Sequence, residues 1–159
     1  MSNLFDRRFV EGSGTAAEFI SNILESSTEY SIIGLDPDGT IVLWNEGARR
    51  IYGYGSEELV GKADSAILHT AKDAAAGRSA AVLEEALSSG KWEGTITRCR
   101  KSGEEFPARV VITPHRDAGG APIGFLLISK DISEESRLTD ELKETQFYTR
   151  SLIESNIDA

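Results

Sequence analysis

The sequence predicts an α+β fold, with one antiparallel sheet, helices over one of its faces and a flanking helix at either end. Three observations carry this. Two short apolar segments flank the turn Asp36-Pro37-Asp38-Gly39. Three longer ones, Trp92–Arg100, Glu105–Thr113 and Pro122–Lys130, follow later and are joined by glycine-bearing turns. Around and between these two groups, apolar residues recur at helical spacing. With 159 residues, 40% hydrophobic and 27% charged, the chain fits one globular domain with tails.

Each element has a local cause. Residues 1–14 are polar and end in Glu11-Gly12-Ser13-Gly14, a loose lead-in. Thr15, with Glu18 three places on, forms a capping box, and Phe19, Ile20, Ile23 and Leu24 then share one helical stripe that ends near Ser27. Ser31–Leu35 and Thr40–Trp44 are strands joined by a turn in which proline presets φ and Gly39 accepts a positive one. Asn45 caps a short helix, Glu46–Tyr52, with Ala48, Ile51 and Tyr52 on its apolar side. Gly53-Tyr54-Gly55 breaks it, and Ser56–Leu59 is a further capped turn. Lys62–Lys72 reads as a loop. Asp73 then caps a helix running to Ser88, with Ala75, Val82, Leu83, Ala86 and Leu87 inward and Ser89-Gly90 ending it.

The last strands do not alternate. Val110-Val111-Ile112 and Gly124-Phe125-Leu126-Leu127-Ile128 are apolar on both faces, whereas an antiparallel sheet with one wet face alternates apolar and polar. A cover for the second face is therefore expected: the N-terminal helix, the C-terminal helix or a second subunit. Beyond Ile132 the chain is helical again, and Leu138, Leu142, Thr145, Thr149 and Leu152 step at heptad spacing, as in a parallel dimer seam. The end of this tail repeats the opening helix. Phe19–Ser27 and Tyr148–Asn156 share an aromatic, two aliphatics and Glu-Ser in the same order, at a separation close to one small domain. The expected organisation is a lead-in (1–16), one domain (17–133) and a connector helix running into a truncated second copy (134–159).

Composition narrows the function. A net charge of −9 argues against a nucleic-acid or anionic-membrane footprint. No apolar run approaches the roughly 20 residues that span a bilayer, and Met1–Arg8 lacks the apolar core of a signal peptide. A single cysteine, Cys99, makes no internal disulfide, which fits a reducing cytoplasm. No metalloprotease, phosphate-loop or nucleophile-elbow motif is present. The acids Glu57, Glu58, Glu84 and Glu85 read as solvated helix faces, and the two histidines, His69 and His115, as a loop and a hairpin-end residue. No catalysis is expected of this segment.

Five pieces in order resemble the PAS (Per-Arnt-Sim) sensory domain across residues 17–133. They are Ile33–Ile41, Trp44–Ala48 leading into Ile51–Tyr54, Glu58–Lys62, Arg100–Pro107 and Gly124–Ser133. The resemblance implies a five-stranded antiparallel sheet cupping a small cavity against its helices. It also implies that Asp131-Ile132-Ser133 matches the family's Asp-Ile-Thr exit motif, which couples the last strand to a signalling helix. Ser133 in place of threonine keeps the hydroxyl. The tail resembles connectors between PAS units of bacterial sensor histidine kinases, so the chain is expected to be a regulatory module, N-terminal in a multi-PAS kinase. It senses a ligand or relays a shift, or, as the alternative, serves as a ligand-free dimerisation domain.

Strand parity combined with the resemblance selects the expected cavity lining: Val110, Ile112, Phe125 and Leu127, completed by Trp44, Tyr52, Ile67 and Leu83. Asp131 and Ser133 carry the exit role. A homodimer is expected through Phe19, Ile23, Val111, Leu126, Ile128, Leu138 and Leu142. Other domains of the same polypeptide, further PAS units and a kinase core, are the remaining partners. Cofactors are not expected. The flavin-thiol photosensors resemble one another in an Asn-Cys-Arg-Phe motif, and Lys62–Asp73 holds no cysteine. The haem sensors carry a histidine in the long helix, and residues 73–89 hold none. A non-covalent flavin or a small apolar ligand stays open.

Overall fold

The structure, a computed structural model, describes residues 16–157. The Thr15 cap and the lead-in therefore lie outside the described residues. In order, the elements are α1 (Ala16–Ser26), β1 (Tyr30–Leu35), β2 (Ile41–Trp44), α2 (Glu46–Tyr52), α3 (Ser56–Leu59), a 3₁₀ turn (Ser65–Leu68), α4 (Ala71–Ala75), α5 (Arg78–Ser89), β3 (Trp92–Cys99), β4 (Glu105–Arg116), β5 (Pro122–Asp131) and α6 (Ser133–Ile157). The strands form one antiparallel sheet in the order β2-β1-β5-β4-β3. The predicted fold class is therefore the observed one.

The sheet's inner face is the core. Ile33, Leu35, Ile96, Phe106, Ala108, Val110, Ile112, Phe125 and Leu127 point into it and meet Ala48, Ile51 and Tyr52 of α2, Leu59, Leu68, and Val82 and Ala86 of α5. Period-two alternation along each strand puts these residues on one side. Burial of each large side chain contributes about 1.5–3 kcal/mol. Helix α2 lies so close to β1 that a Cβ on Gly47 would collide with the Tyr30 carbonyl. Only glycine permits that approach.

The helical region departs from expectation. One helix capped by Asp73 was predicted; two helices form. Thr70 caps α4, its side chain accepting from the Asp73 amide at 3.2 Å. Gly77 then takes a left-handed φ of 73° and starts α5. That glycine ends one helical run and turns the next, so Ala75, placed inward from sequence, is exposed.

The outer face also has a definite answer at the level of one chain. Ile32 of β1 pairs with Ile128 of β5, which pairs with Val111 of β4, an apolar row across three strands. Val111 is half-buried, but Leu126 and Ile128 remain 38% exposed. Among the described residues, this row thus keeps exposed apolar surface in the single chain. No described helix is long and apolar enough to cross a membrane.

Candidate functional site

Three arrangements bear on function: an exit knot at the start of α6, a buried basic pair under the sheet, and an open cleft beside α5.

The exit knot is built on Asp131, the last residue of β5. Its Oδ1 accepts from the Ser133 amide at 2.9 Å and from the Ser133 hydroxyl at 2.5 Å, holding the first turn of α6. Its Oδ2 accepts from Arg100 Nη2 at 2.6 Å. Arg100 also donates from Nη1 to the Ile51 carbonyl in α2 at 2.6 Å and from Nε to Glu104 at 2.9 Å. Its guanidinium lies 3.9 Å from the centre of the Phe106 ring. Burial works to raise the Asp131 pKa, but the hydrogen bonds from Ser133 and Arg100 outweigh it, and the carboxyl is held below its ordinary value. One carboxylate thus ties the core helix α2, strand β5 and the outgoing helix α6 together through Arg100.

Asn45 performs a matching task where the chain enters the sheet. Its Oδ1 accepts from the Ala48 amide, capping α2, and from the Ile32 amide of β1. Its Nδ2 donates to the carbonyls of Leu24, Ser27 and Tyr30. Incoming helix, first strand and core helix meet on this buried amide.

The basic pair lies on the inner face. Arg98 follows Ile96 inward on β3 and is 1% exposed, and its Nη1 sits 3.0 Å from Nε2 of His69. His69 is likewise buried. Desolvation, with the Arg98 charge behind it, pushes its pKa down to about 4, so the ring is neutral at pH 7. Arg98 Nε and His69 Nδ1 have no hydrogen-bond partner. His69 lies outside the helices and strands, as the loop reading expected, but it is buried and bridged to Arg98, whereas His115 near the end of β4 is exposed. The missed signal was period-two parity: Ile96, Arg98 and Arg100 share one face of their strand.

The cleft has a volume of about 430 Å³ and opens between the β1–β2 turn, the 3₁₀ turn and helices α4 and α5. Leu83, Leu87 and Phe125 form its apolar floor, and Asp38, Asp64 and Glu84 add acidic groups to its lining. The hydroxyls of Ser65 and Ser79, which also line it, lie 2.6 Å apart.

Of the eight expected lining residues, Trp44, Tyr52, Val110, Ile112, Phe125 and Leu127 are buried in one core. Leu83 is half-buried and shares the cleft with Phe125. Ile67 is not part of this set. The 3₁₀ turn aims Leu68 inward and leaves Ile67 36% exposed, because its tighter winding displaces the face that a loop reading assumed. Trp44, Tyr52 and Phe106 meet in series with ring centres 5.6 Å apart at each step, tilted in the first pair and edge-to-face in the second, and all three are buried in the interior. Among the expected interface residues, Ile23, Leu126, Ile128, Leu138 and Leu142 are exposed and Val111 is half-buried; the side chain of Phe19 lies outside the described residues. No group of acids, histidines and cysteines among the described residues has the makings of a metal site.

Comparison with known proteins gives a consistent fold and a signalling context. The PAS domain family matches residues 28–134. Two-component system protein A of Emericella nidulans is 37% identical over 112 residues, covering 70% of this chain and 16% of that protein. The chain thus spans about a sixth of that relative's length. Among solved structures, the PAS domain of a protein from Colwellia psychrerythraea superposes with a TM-score of 0.68 at 24% identity, covering 75% of this chain and 98% of that one. An RNA-binding light-oxygen-voltage receptor gives 0.70 at 20% identity, covering 92% and 40% respectively.

Proposed function

The chain belongs to the PAS domain family, and from that premise we propose that it is the sensory module of a two-component signalling protein, relaying a change in its core to helix α6. The observation that carries this reading is the Asp131–Arg100 ion pair, because Arg100 holds the Ile51 carbonyl of the core while Asp131 holds the first turn of α6. A shift of α2 moves Arg100, and Arg100 cannot move without pulling on Asp131. A relay of this kind needs two packings separated by only a few kcal/mol. The two-component name of the Emericella relative supports a sensor kinase parent with further domains beyond this one, and the single cysteine fits a reducing cytoplasm.

The module acts as a homodimer in this reading. The apolar row Ile32–Ile128–Val111 and the exposed Leu126 offer a face, and α6 exposes Leu138, Leu142, Phe147, Tyr148, Leu152 and Ile153 along its length. A helix with that much unpartnered apolar surface is suited to a mate. A tandem array, with α6 running into a second unit, fits the repeat at Tyr148–Asn156. A ligand-free dimerisation role is the second reading, favoured by the packed aromatics that occupy the interior.

Hydrogen exchange on the full chain tests the relay. Breaking the pair with Arg100→Met is expected to speed exchange in the first turns of α6 while the sheet keeps its protection. Unchanged exchange in α6 would sink the relay.

A further inference from the structure

Arg98 heads the fully buried side chains by volume, yet no counterion meets it among the described residues. A guanidinium stays protonated under all folding conditions, so a full positive charge sits beneath the sheet. No carboxylate among the described residues pairs with it. Its hydrogen bond to His69 uses Nη1 alone. The neutral ring accepts at Nε2, which puts the ring proton on Nδ1, and that N–H also lacks a partner. The partnerless Nε lies beside Nη2, and this edge of a guanidinium is the planar fork that grips both oxygens of a carboxylate. The pair therefore presents donors and a positive charge with no acceptor to meet them. Its surroundings on the sheet are apolar: Ile96 two residues along β3 and Phe106 opposite on β4.

We propose that Arg98 and His69 form a binding site for a small carboxylic acid with a short apolar body, the carboxylate lying against the Nε–Nη2 edge of Arg98. This deepens the sensory reading and rests on it, since it names the ligand class of the module. Helix α4 follows directly on His69 and Thr70 and buries none of its own residues, so it opens locally without disturbing the core. Arg78 at the start of α5 adds a second positive charge acting on His69, and Asp73 in α4 is the acid that acts on the same ring. A ligand carboxylate supplies the acceptor and the charge that both basic groups lack, and joins β3 to the segment leading into α4.

The test is a titration of the full chain at pH 7 with butyrate, acetate and succinate, and separately with inorganic phosphate. Arginine Nε–H resonances and the thermal midpoint are read together. The expected result is a saturable downfield shift of the Arg98 Nε–H signal with butyrate and a midpoint raised by several degrees. Arg98→Met is expected to remove both responses and to leave the unliganded midpoint at or above that of the wild type, because an unpaired buried charge is gone. Arg98→Lys, a point charge without the fork, is expected to weaken binding about tenfold. No saturable shift with any of the carboxylates overturns the site, and the wild-type titration decides this even if Arg98→Met fails to fold. A midpoint rise that persists in a folded Arg98→Met variant also overturns it, as does a response to phosphate alone. Hydrogen exchange in α6 separates this site from the sensory reading. Carboxylate binding that leaves α6 unchanged keeps the site and removes the relay. A different ligand that moves α6, with carboxylates inert, does the reverse.

Discussion

Single residues tie this domain together where the chain enters it and where it leaves. Asn45 satisfies three carbonyls and two amides at once, so Asn45→Ala loses a helix cap and leaves the Ile32 amide unmet. A loss of about 2–3 kcal/mol is expected, read by urea unfolding. Asp131→Ala is expected to cost about 1–3 kcal/mol and to loosen the start of α6 with the sheet intact. Global unfolding at room temperature would instead make Asp131 a structural residue. His69 sets a pH dependence. Its folded pKa, about 4, lies below the unfolded value near 6.5, so the unfolded chain binds the extra proton in between. Stability from this group is complete above pH 6.5 and is lost as pH falls toward 4, by about 2 kcal/mol after solvent screening. Asp131, also depressed, adds loss in the same direction at lower pH. His69→Gln keeps an acceptor for Arg98 and is expected to flatten the slope between pH 6.5 and 4. An unchanged slope would assign it to other groups.

At the scale of elements, what the sequence disclosed depended on local chemistry. The β1–β2 hairpin, the Asn45 cap and the bounds of α2 were legible because proline, glycine and asparagine each impose a backbone geometry close by. Strand parity grouped Val110 with Ile112 and Phe125 with Leu127, the resemblance chose the inward side, and all four are buried there. The break at Gly77 was not legible, since a glycine within an alanine-rich run signals only a weaker helix until its φ is known. Ile67 and Leu68 are adjacent apolar residues, and only the 3₁₀ winding decides which turns inward. The contacts of Arg98, Arg100 and His69 were not legible because their partners lie in other elements, up to 49 residues away for Arg100 and Ile51. For Gly77→Ala, a Cβ meets nothing within 4 Å, so the left-handed backbone alone is penalised. About 1 kcal/mol of destabilisation is expected by thermal unfolding. A larger cost would show that the α4–α5 corner bears load beyond its backbone.

On the scale of the whole molecule, the outer sheet face and α6 ask for a neighbour. A stable pair needs about 1,200–2,000 Å² of total buried surface, which a sheet face and a helix together can supply. Sedimentation at micromolar concentration is expected to give a dimer, and Leu126→Glu with Ile128→Lys is expected to give monomers of nearly unchanged fold. A wild-type chain that stays monomeric would remove the dimer. The strand order has a mechanical corollary. Tyr30, which opens β1, pairs with Lys130, which nearly closes β5, so the polypeptide comes in and goes out at one corner. Tension applied through the two ends therefore peels that strand pair apart one rung at a time, and never loads its rungs in parallel. A unit pulled this way yields to stretching at low force.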